Sequence, residues 1–229
     1  MDSAPGRLHH PDKPLVTDLR TRVVARPTDL WSTLTGRRSV RAFEPDAVPR
    51  EVILRAVEAA GWAPSPHGRQ PWRFVVVESS AAKRRLAEDM AATWTEQLSL
   101  DGQDAAIIAI RRAKSQDRLL TTPCLIVPCL YVANLDRYPD EDRSAAEVTM
   151  AVQSIGAAIQ NLLLSVYADG YDAGWMCAPL FCPDIVRSSL GLDAALDPHA
   201  IITVGIAAKD PVRRPRRPVA DLIPTWLTD

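Results

Sequence analysis

A cluster of cationic and hydroxyl side chains lies early in the chain, at residues 37–41. Its sequence is Arg-Arg-Ser-Val-Arg, so three guanidinium groups and one hydroxyl fall within five residues. Guanidinium groups donate paired, charge-assisted hydrogen bonds that match phosphate oxygens. The candidate anion ligands are Arg37, Arg38, Ser39 and Arg41. A solvated basic turn has the same composition, and the motif alone does not separate the two interpretations.

A stiff polar segment follows at residues 64–72, with the sequence Pro-Ser-Pro-His-Gly-Arg-Gln-Pro-Trp. Its prolines fix the backbone and remove amide donors, which suits either a wall for a planar ligand or a plain helix-to-strand connector. The candidate contacts are Pro64, Ser65, Pro66 and His67. The unperturbed pKa of histidine lies near neutrality, so His67 is a candidate proton donor. The alternative is that His67 only hydrogen-bonds the loop or a ligand.

Further basic residues are candidates for binding an anionic substrate. Arg111 and Arg112 fall on a predicted helix together with Lys114 and Arg118, and Arg69 lies in the proline-rich segment. The alternative is a solvated, charged helix face. The preceding helix carries an apolar stripe at helical spacing, formed by Leu86, Met90, Trp94 and Leu98.

The four cysteines predict ordinary thiols rather than a metal site. Four residues separate the members of each pair, Cys124 with Cys129 and Cys177 with Cys182. The first pair falls in a predicted strand, where an odd separation points the side chains to opposite faces. Zinc ligands usually flank tighter turns, so we expect no metal and a reducing compartment.

Composition indicates a globular domain. The chain has 229 residues and a net charge of −1, which disfavours nucleic-acid binding driven by bulk charge. No run approaches about 20 uninterrupted apolar residues, so we expect no membrane-spanning helix. Residues 1–26 lack the apolar core of a signal peptide. We expect a cytoplasmic protein with an N-terminal arm over 1–26, partly disordered or wrapping, and one domain over 27–229.

Hydrophobic periodicity predicts a mixture of α and β in which helices dominate. The predicted helices cover 27–34, 49–60, 81–98, 103–120, 144–168 and 183–190. The predicted strands cover 73–78, 123–132, 171–176 and 200–208. Pro128 predicts an edge, bulge or bend in the second strand. Helix 144–168 is nearly all apolar or small, so we expect it to be buried in the domain centre or at a dimer seam.

The order of these motifs resembles the nitroreductase family of flavin enzymes. That family shows an Arg-x-Ser-x-Arg turn, a helix, an Ala-Pro-Ser turn and Gln-Pro-Trp-x-Phe before a hydrophobic strand, and the resemblance covers roughly residues 30–223. Segments 63–67, 138–143 and 181–187 are most similar to the flavin domain of bifunctional proteins that mature the 8-hydroxy-5-deazaflavin coenzyme. The resemblance implies an α+β, nitroreductase-like fold: a central mixed sheet flanked by helices, with the long helix at a homodimer interface.

The resemblance also implies FMN as cofactor, in a site shared between subunits. The phosphate would meet Arg37, Arg38, Ser39 and Arg41, with Arg216 or Arg217 from the basic tail. Pro64, Ser65 and Pro66 of the other subunit would lie against the ring. Backbone near the flavin's reactive edge would come from Cys177, Ala178 and Pro179.

Two departures from the family pattern bear on the site. Many members have Asn where Gly68 stands, so a side-chain contact is missing or is supplied by His67. Pro179 lacks an amide that could donate to the flavin. The implied function is hydride transfer to a conjugated organic acceptor, with a dehydro precursor of the deazaflavin coenzyme as the narrower candidate. The alternatives are NAD(P)H-dependent reduction of nitroaromatics, quinones or flavins, and a flavin-binding protein with little turnover.

Overall fold

One antiparallel sheet organises the computed structural model, which describes residues 24–26, 28–210 and 212–228. Its strands are β1 (Trp72–Val77), β2 (Cys124–Tyr131), β3 (Asp172–Met176), β4 (Leu196–Pro198) and β5 (Ile201–Gly205). The order is β1-β2-β5-β3, with β4 also paired to β2, and every strand pair is antiparallel. The sheet is therefore antiparallel where a mixed sheet was predicted. Within the described residues, parallel pairing occurs at one isolated bridge, between Ser39 and Ala173.

Six of the seven α-helices in the described residues correspond to predicted ones, and the last, a short helix in the tail, was not predicted. The helices are α1 (Leu30–Gly36), α2 (Arg50–Gly61), α3 (Ser80–Leu100), α4 (Ala105–Thr121), α5 (Glu141–Ala168), α6 (Pro183–Leu190) and α7 (Val219–Leu222). Helix α5 begins earlier than the predicted residue 144. The Asp140 side chain accepts a hydrogen bond from the Arg143 amide and caps the helix there. Residues 141–143, which precede the predicted start, therefore belong to the first turn of α5.

Two hydrophobic cores lie on opposite faces of the sheet. One contains residues of α2 and α5, and the other contains residues of α3 and α6. Cys124 belongs to the first core and Cys129 to the second, which confirms that their side chains point to opposite faces. Burial raises the pKa of each of these thiols to about 12. Among the described residues, no group of His, Cys, Asp and Glu is placed to hold a metal ion.

Pro128 lies in a central strand, not at an edge. It pairs with Phe74 of β1 on one side. On the other side, the partner of β2 changes from β5 to β4, and the Pro128 carbonyl accepts a hydrogen bond from His199 at 2.9 Å. The missing amide of proline therefore falls where the neighbouring strand is interrupted, so no ladder hydrogen bond is lost.

Helix α5 is buried on one side only. Ile155, Ile159 and Leu162 pack into the first core, whereas Val148 and Val152 are 48% and 39% exposed. The sequence predicted no membrane-spanning helix, because it has no long uninterrupted apolar run. By length and composition alone, however, α5 could cross a membrane. Its packed face is that of a core helix in a globular domain.

The predicted arm over residues 1–26 lies outside the described residues except at its end. There, Arg26 donates to Asp172 at 2.8 Å and to the Tyr171 carbonyl at 2.7 Å. Its guanidinium also lies 4.1 Å from the centre of the Tyr167 ring. Arg26 thus ties the start of the described chain to β3 and α5.

Candidate functional site

The Arg37–Arg41 segment is extended and lies along the outer edge of β3. Helix α1 ends at Gly36, where a side chain would collide with Tyr167 of α5. The Val40 amide then donates to the Ala173 carbonyl at 3.0 Å, and the Val40 side chain is 2% exposed. Burial of Val40 therefore anchors the segment, while its polar side chains remain available to line a cavity.

Gly174 permits this close approach. A Cβ atom at Gly174 would lie 2.2 Å from the carbonyl oxygen of Val40. That separation is far shorter than van der Waals contact, and the atom it meets is backbone that cannot rotate away. Only glycine lets the arginine-bearing segment pack this tightly on β3.

An arginine-lined cavity of about 380 Å³ lies beside this segment, and we call it the arginine pocket. It combines the end of α1, the extended segment and the C-terminal tail. Its lining residues are Leu34, Thr35, Arg37, Arg38, Ser39, Arg41, Val212, Arg213, Arg214 and Arg216. Six of these ten side chains are arginines. All four of the predicted anion ligands therefore lie in one cavity.

The charges of the arginine pocket are poorly neutralised by the protein. Within the described residues, the Nε atoms of Arg37 and Arg38 are buried without a hydrogen-bond partner. Arg38 lies 3.7 Å from Asp210, an 85% exposed carboxylate, and such solvated pairs contribute little. Burial, and then the charge of Arg216, lower the pKa of Arg37. A dianionic phosphate would supply the missing acceptors and relieve this repulsion, so the residues present fit an FMN phosphate.

The tail contributes more of the arginine pocket than the sequence pattern predicted. Arg216 lines it and lies close enough to influence Arg37, whereas Arg217 does not line it. Arg213 and Arg214 line it as well and were not predicted. The signal available for them was their place in the same basic run, but alternation with proline does not reveal which side chains turn inward.

The segment Pro64–Pro71, which we call the proline loop, holds an unusual backbone. His67, Gly68 and Gln70 have φ values of 53°, 64° and 49°. Left-handed conformations cost a non-glycine residue about 1–2 kcal/mol and cluster at functional sites. The Ser65 hydroxyl stabilises the loop by accepting a hydrogen bond from the Gln70 amide at 3.0 Å. Gly68 suits its position, since glycine and asparagine both adopt this conformation readily.

Arg69 anchors the proline loop. It donates to Asp136 at 2.6 Å and to the Asn134 carbonyl at 3.3 Å. The Asp136 amide in turn donates to Glu147 of α5, a carboxylate that is 4% exposed. Arg69 is therefore held within the fold by this network, and it does not line the cavity that Arg111 lines.

The proline loop and the arginine pocket are separate within one chain. Pro64, Ser65, Pro66 and His67 do not line the arginine pocket. His67 and Pro64 are exposed to solvent. The loop is thus available to another molecule.

The turn after β3 contains the third set of residues predicted to contact the flavin. Cys177 and Ala178 are exposed and Pro179 is buried. The Cys177 carbonyl accepts from the Leu180 amide at 3.1 Å, and the Pro179 carbonyl from the Cys182 amide at 3.0 Å. These bonds define a short 3-10 turn, Ala178–Phe181, that joins β3 to α6.

A larger cavity of about 760 Å³ opens between α3, α4 and this turn, and we call it the helical cleft. Its apolar side includes Met90, Trp94 and Leu98 of the predicted stripe. The complete lining is Ala87, Met90, Trp94, Gln97, Leu98, Asp101, Arg111, Lys114, Ser115, Arg118, Leu119, Met176, Ala178, Phe181 and Cys182. Arg111 was predicted near a substrate and lines the cleft. Arg112, also predicted, does not.

Known proteins share this architecture. The sequence model described as the nitroreductase family matches residues 34–206. Nitroreductase NfnB of Mycolicibacterium smegmatis is 32% identical over 179 residues, which cover 70% of this chain and 75% of NfnB.

Solved structures agree on the fold. A BluB-like flavoprotein from Clostridium difficile superposes with a TM-score of 0.74 at 24% identity, covering 87% of this chain and 99% of that one. The FMN-dependent nitroreductase NfnB from Mycobacterium smegmatis, crystallised with NADPH, has a TM-score of 0.67 at 23% identity, with 86% and 96% covered. Because the family match runs from α1 to the residue after β5, the chain belongs to the nitroreductase family.

Proposed function

We propose that the chain binds FMN through its phosphate in the arginine pocket and uses NAD(P)H to reduce conjugated organic acceptors. The chain is an FMN-dependent oxidoreductase, in keeping with its family and with the NfnB structure, which is described as FMN-dependent. The observation that carries the proposed placement is the set of buried guanidinium nitrogens without partners. NADPH as electron donor is supported by its presence in the NfnB complex.

Each predicted contact then has a distinct role. Arg37, Arg38 and Arg41 bind the phosphate with Arg216, and the Ser39 hydroxyl adds a donor. The turn at Cys177–Pro179 borders the ring, which supplies two-electron hydride chemistry when the cofactor is bound. The protein orients the reactants and excludes water. His67 remains a candidate proton donor, because it is exposed at the tip of the proline loop.

The proposed reaction balances as NAD(P)H, a proton and the acceptor giving NAD(P)⁺ and the acceptor reduced by two hydrogens. Quinones and conjugated alkenes are suitable acceptors in this form, and a nitroaromatic takes up the same two hydrogens but releases water to give a nitroso product. The narrower candidate is a dehydro precursor of the deazaflavin coenzyme. The motif resemblance supports it, and the basic side of the helical cleft suits its phosphorylated form. We expect the reaction to take place in the cytoplasm.

A homodimer with a shared flavin site is also part of the proposal. Pro64 and His67 of the proline loop are exposed and do not line the arginine pocket, as expected if the loop faces a cofactor held by a second chain. Large apolar side chains are exposed on α2, α5 and the tail, including Leu54, Val148 and Trp226. In the proposed dimer, contact with the second chain would remove apolar surface of this kind from water. A monomer in light scattering at micromolar concentration would contradict the shared site.

Anaerobic reduction of the purified, FMN-loaded protein tests the function. NADPH should bleach the flavin absorbance, and quinones, nitrofurans or the deazaflavin precursor should restore it. Bleaching without reoxidation by any acceptor indicates a flavin-binding protein with little turnover. Protein that stays colourless and takes up no added FMN contradicts the whole proposal. Reoxidation by nitrofurans but not by the precursor rejects the narrower substrate alone.

A further inference from the structure

The helical cleft has the size and lining of a small-molecule site. Its volume of about 760 Å³ falls within the usual range for such sites, roughly 300–1,000 Å³. The floor is formed by buried side chains, including Ala87, Met90 and Leu119. Trp94 and Phe181 add aromatic surface. This side of the cleft suits a flat, apolar body.

The cleft also has a cationic part. Arg111, Lys114 and Arg118 occupy successive turns of α4 and all line the cleft. Like charges at this spacing destabilise an isolated helix by a few tenths of a kcal/mol. Among the described residues, none of the three forms an ion pair, and Asp101 is the only carboxylate in the cleft lining. The cleft thus retains uncompensated positive charge beside an apolar floor.

The innermost cation links the cleft to the rest of the site. Arg118 donates to the Met176 sulfur at 3.6 Å. Burial, and then the charge of Arg41 in the arginine pocket, lower the pKa of Arg118. Met176 and Ala178 belong to the end of β3 and the turn predicted to border the flavin ring. A molecule in the cleft would therefore lie beside the proposed redox centre.

We propose that the helical cleft binds the electron acceptor, and that this acceptor is an aromatic molecule carrying an anionic group. The aromatic body packs on Trp94 and Met90, and the anion meets Arg111 and Lys114. This inference rests on the proposed function for the redox role of the ligand. The binding of an aromatic anion is a separate property that holds with or without turnover.

Calorimetry with naphthalene-2-sulfonate and naphthalene-2-sulfonamide tests the binding. The two probes share one aromatic body, and only the first is charged. The FMN-loaded protein should bind one sulfonate per chain, more tightly than the sulfonamide. Arg111→Gln and Lys114→Gln should each weaken sulfonate binding roughly three- to tenfold, and sulfonamide binding less. This is smaller than the effect of a buried charge-assisted contact, because both side chains are exposed to solvent. Both residues are exposed, so neither change threatens folding.

Two matched variants locate the probe. Arg112→Gln removes the neighbouring charge that does not line the cleft, and should leave both affinities unaltered. Trp94→Leu should weaken the sulfonate and the sulfonamide alike. Equal weakening by Arg111→Gln and Arg112→Gln would reduce the effect to general surface charge and overturn the proposal. Greater weakening by Arg213→Gln than by Lys114→Gln would put the probe in the arginine pocket and also overturn it.

Steady-state kinetics test the link to turnover. Arg111→Gln should raise KM for 1,4-naphthoquinone-2-sulfonate several-fold more than KM for the neutral 2-methyl-1,4-naphthoquinone. Equal changes for both quinones would show that the cleft does not select the acceptor's charge. A protein without flavin absorbance rejects the proposed function, while calorimetry still decides whether the cleft binds the anion.

Discussion

The arginine pocket and the helical cleft are both rich in cations, yet their surroundings give them different chemistry. In the pocket, arginines from an extended segment and from the tail converge with few apolar neighbours. In the cleft, three cations of one helix share the lining with buried apolar side chains. Charge without apolar surface suits a compact phosphate, whereas charge beside apolar surface suits an amphiphilic ligand. Residue type alone does not distinguish these two sites, but the elements that carry the residues do.

The largest effect should follow from removing the paired charges of the arginine pocket. Arg37→Gln combined with Arg216→Gln should weaken FMN binding at least about 100-fold, since each lost charge-assisted contact contributes about 1.5–3 kcal/mol. Fluorescence titration of the apoprotein with FMN measures the change. Arg217→Gln, from the same tail but outside the pocket lining, is the control. Unaltered sulfonate binding in the double variant would sharpen the contrast between the two sites.

A backbone clash should disrupt the arginine pocket without changing any charge. Gly174→Ala places a Cβ against the Val40 carbonyl oxygen and should lower the free energy of unfolding by about 2–3 kcal/mol, a typical cost of overpacking. FMN affinity should fall with it, because the Arg37–Arg41 segment must move. Urea denaturation measures the stability. The control is Gly61→Ala, where the added Cβ would meet no neighbouring atom within 4 Å. Equal stabilities of the two variants would contradict the packing argument.

Arg69 provides a smaller test, because we assign it to neither cationic site. Arg69→Gln should lower the free energy of unfolding by about 0.5–1 kcal/mol, a value discounted because both partners are about one-third exposed. KM for the sulfonated quinone should rise no more than KM for the neutral one. A rise in KM for the sulfonated quinone alone would show that Arg69 helps to bind the anionic substrate, and would contradict its assignment to neither cationic site.

The smallest expected effect is a change in the rate at which one cysteine is alkylated. Cys182 lines the helical cleft, so saturating naphthalene-2-sulfonate should slow its alkylation by iodoacetamide severalfold. Cys177 is exposed outside the cleft lining and should react at an unaltered rate. Cys124 and Cys129 are buried, and burial raises the pKa of both thiols to about 12, so they should react only after unfolding. Peptide mapping by mass spectrometry resolves the four sites, and equal protection of Cys177 and Cys182 would count against specific occupancy.

The sequence predicted the elements better than the sites they form. Periodicity located α6 and its end at Gly191, because an apolar stripe and a left-handed glycine are local signals. The antiparallel order of the sheet and the central position of Pro128 depend on which strands pair, and that is not a local property. The start of α5 differed by three residues because Asp140 caps the helix ahead of the predicted first residue, Ser144.

The residues of the candidate site also include some whose placement was predictable from the sequence and others whose placement was not. Arg37, Arg38, Ser39 and Arg41 form a contiguous motif, so their convergence was predictable. Arg111 and Arg112 are adjacent and chemically identical, and only the rotation of α4 decides which one faces the cleft. Arg69 looked like a free cation because its partner, Asp136, lies in a distant loop.

The most direct test of the central claim compares FMN with riboflavin, which differ only in the phosphate. If the arginine pocket binds that phosphate, wild-type apoprotein should bind FMN at least about 100-fold more tightly than riboflavin, as two or more charge-assisted contacts require. The Arg37→Gln, Arg216→Gln variant should lose most of that difference while keeping its riboflavin affinity. Equal affinity of the wild-type chain for FMN and riboflavin would contradict the assignment of the arginine pocket.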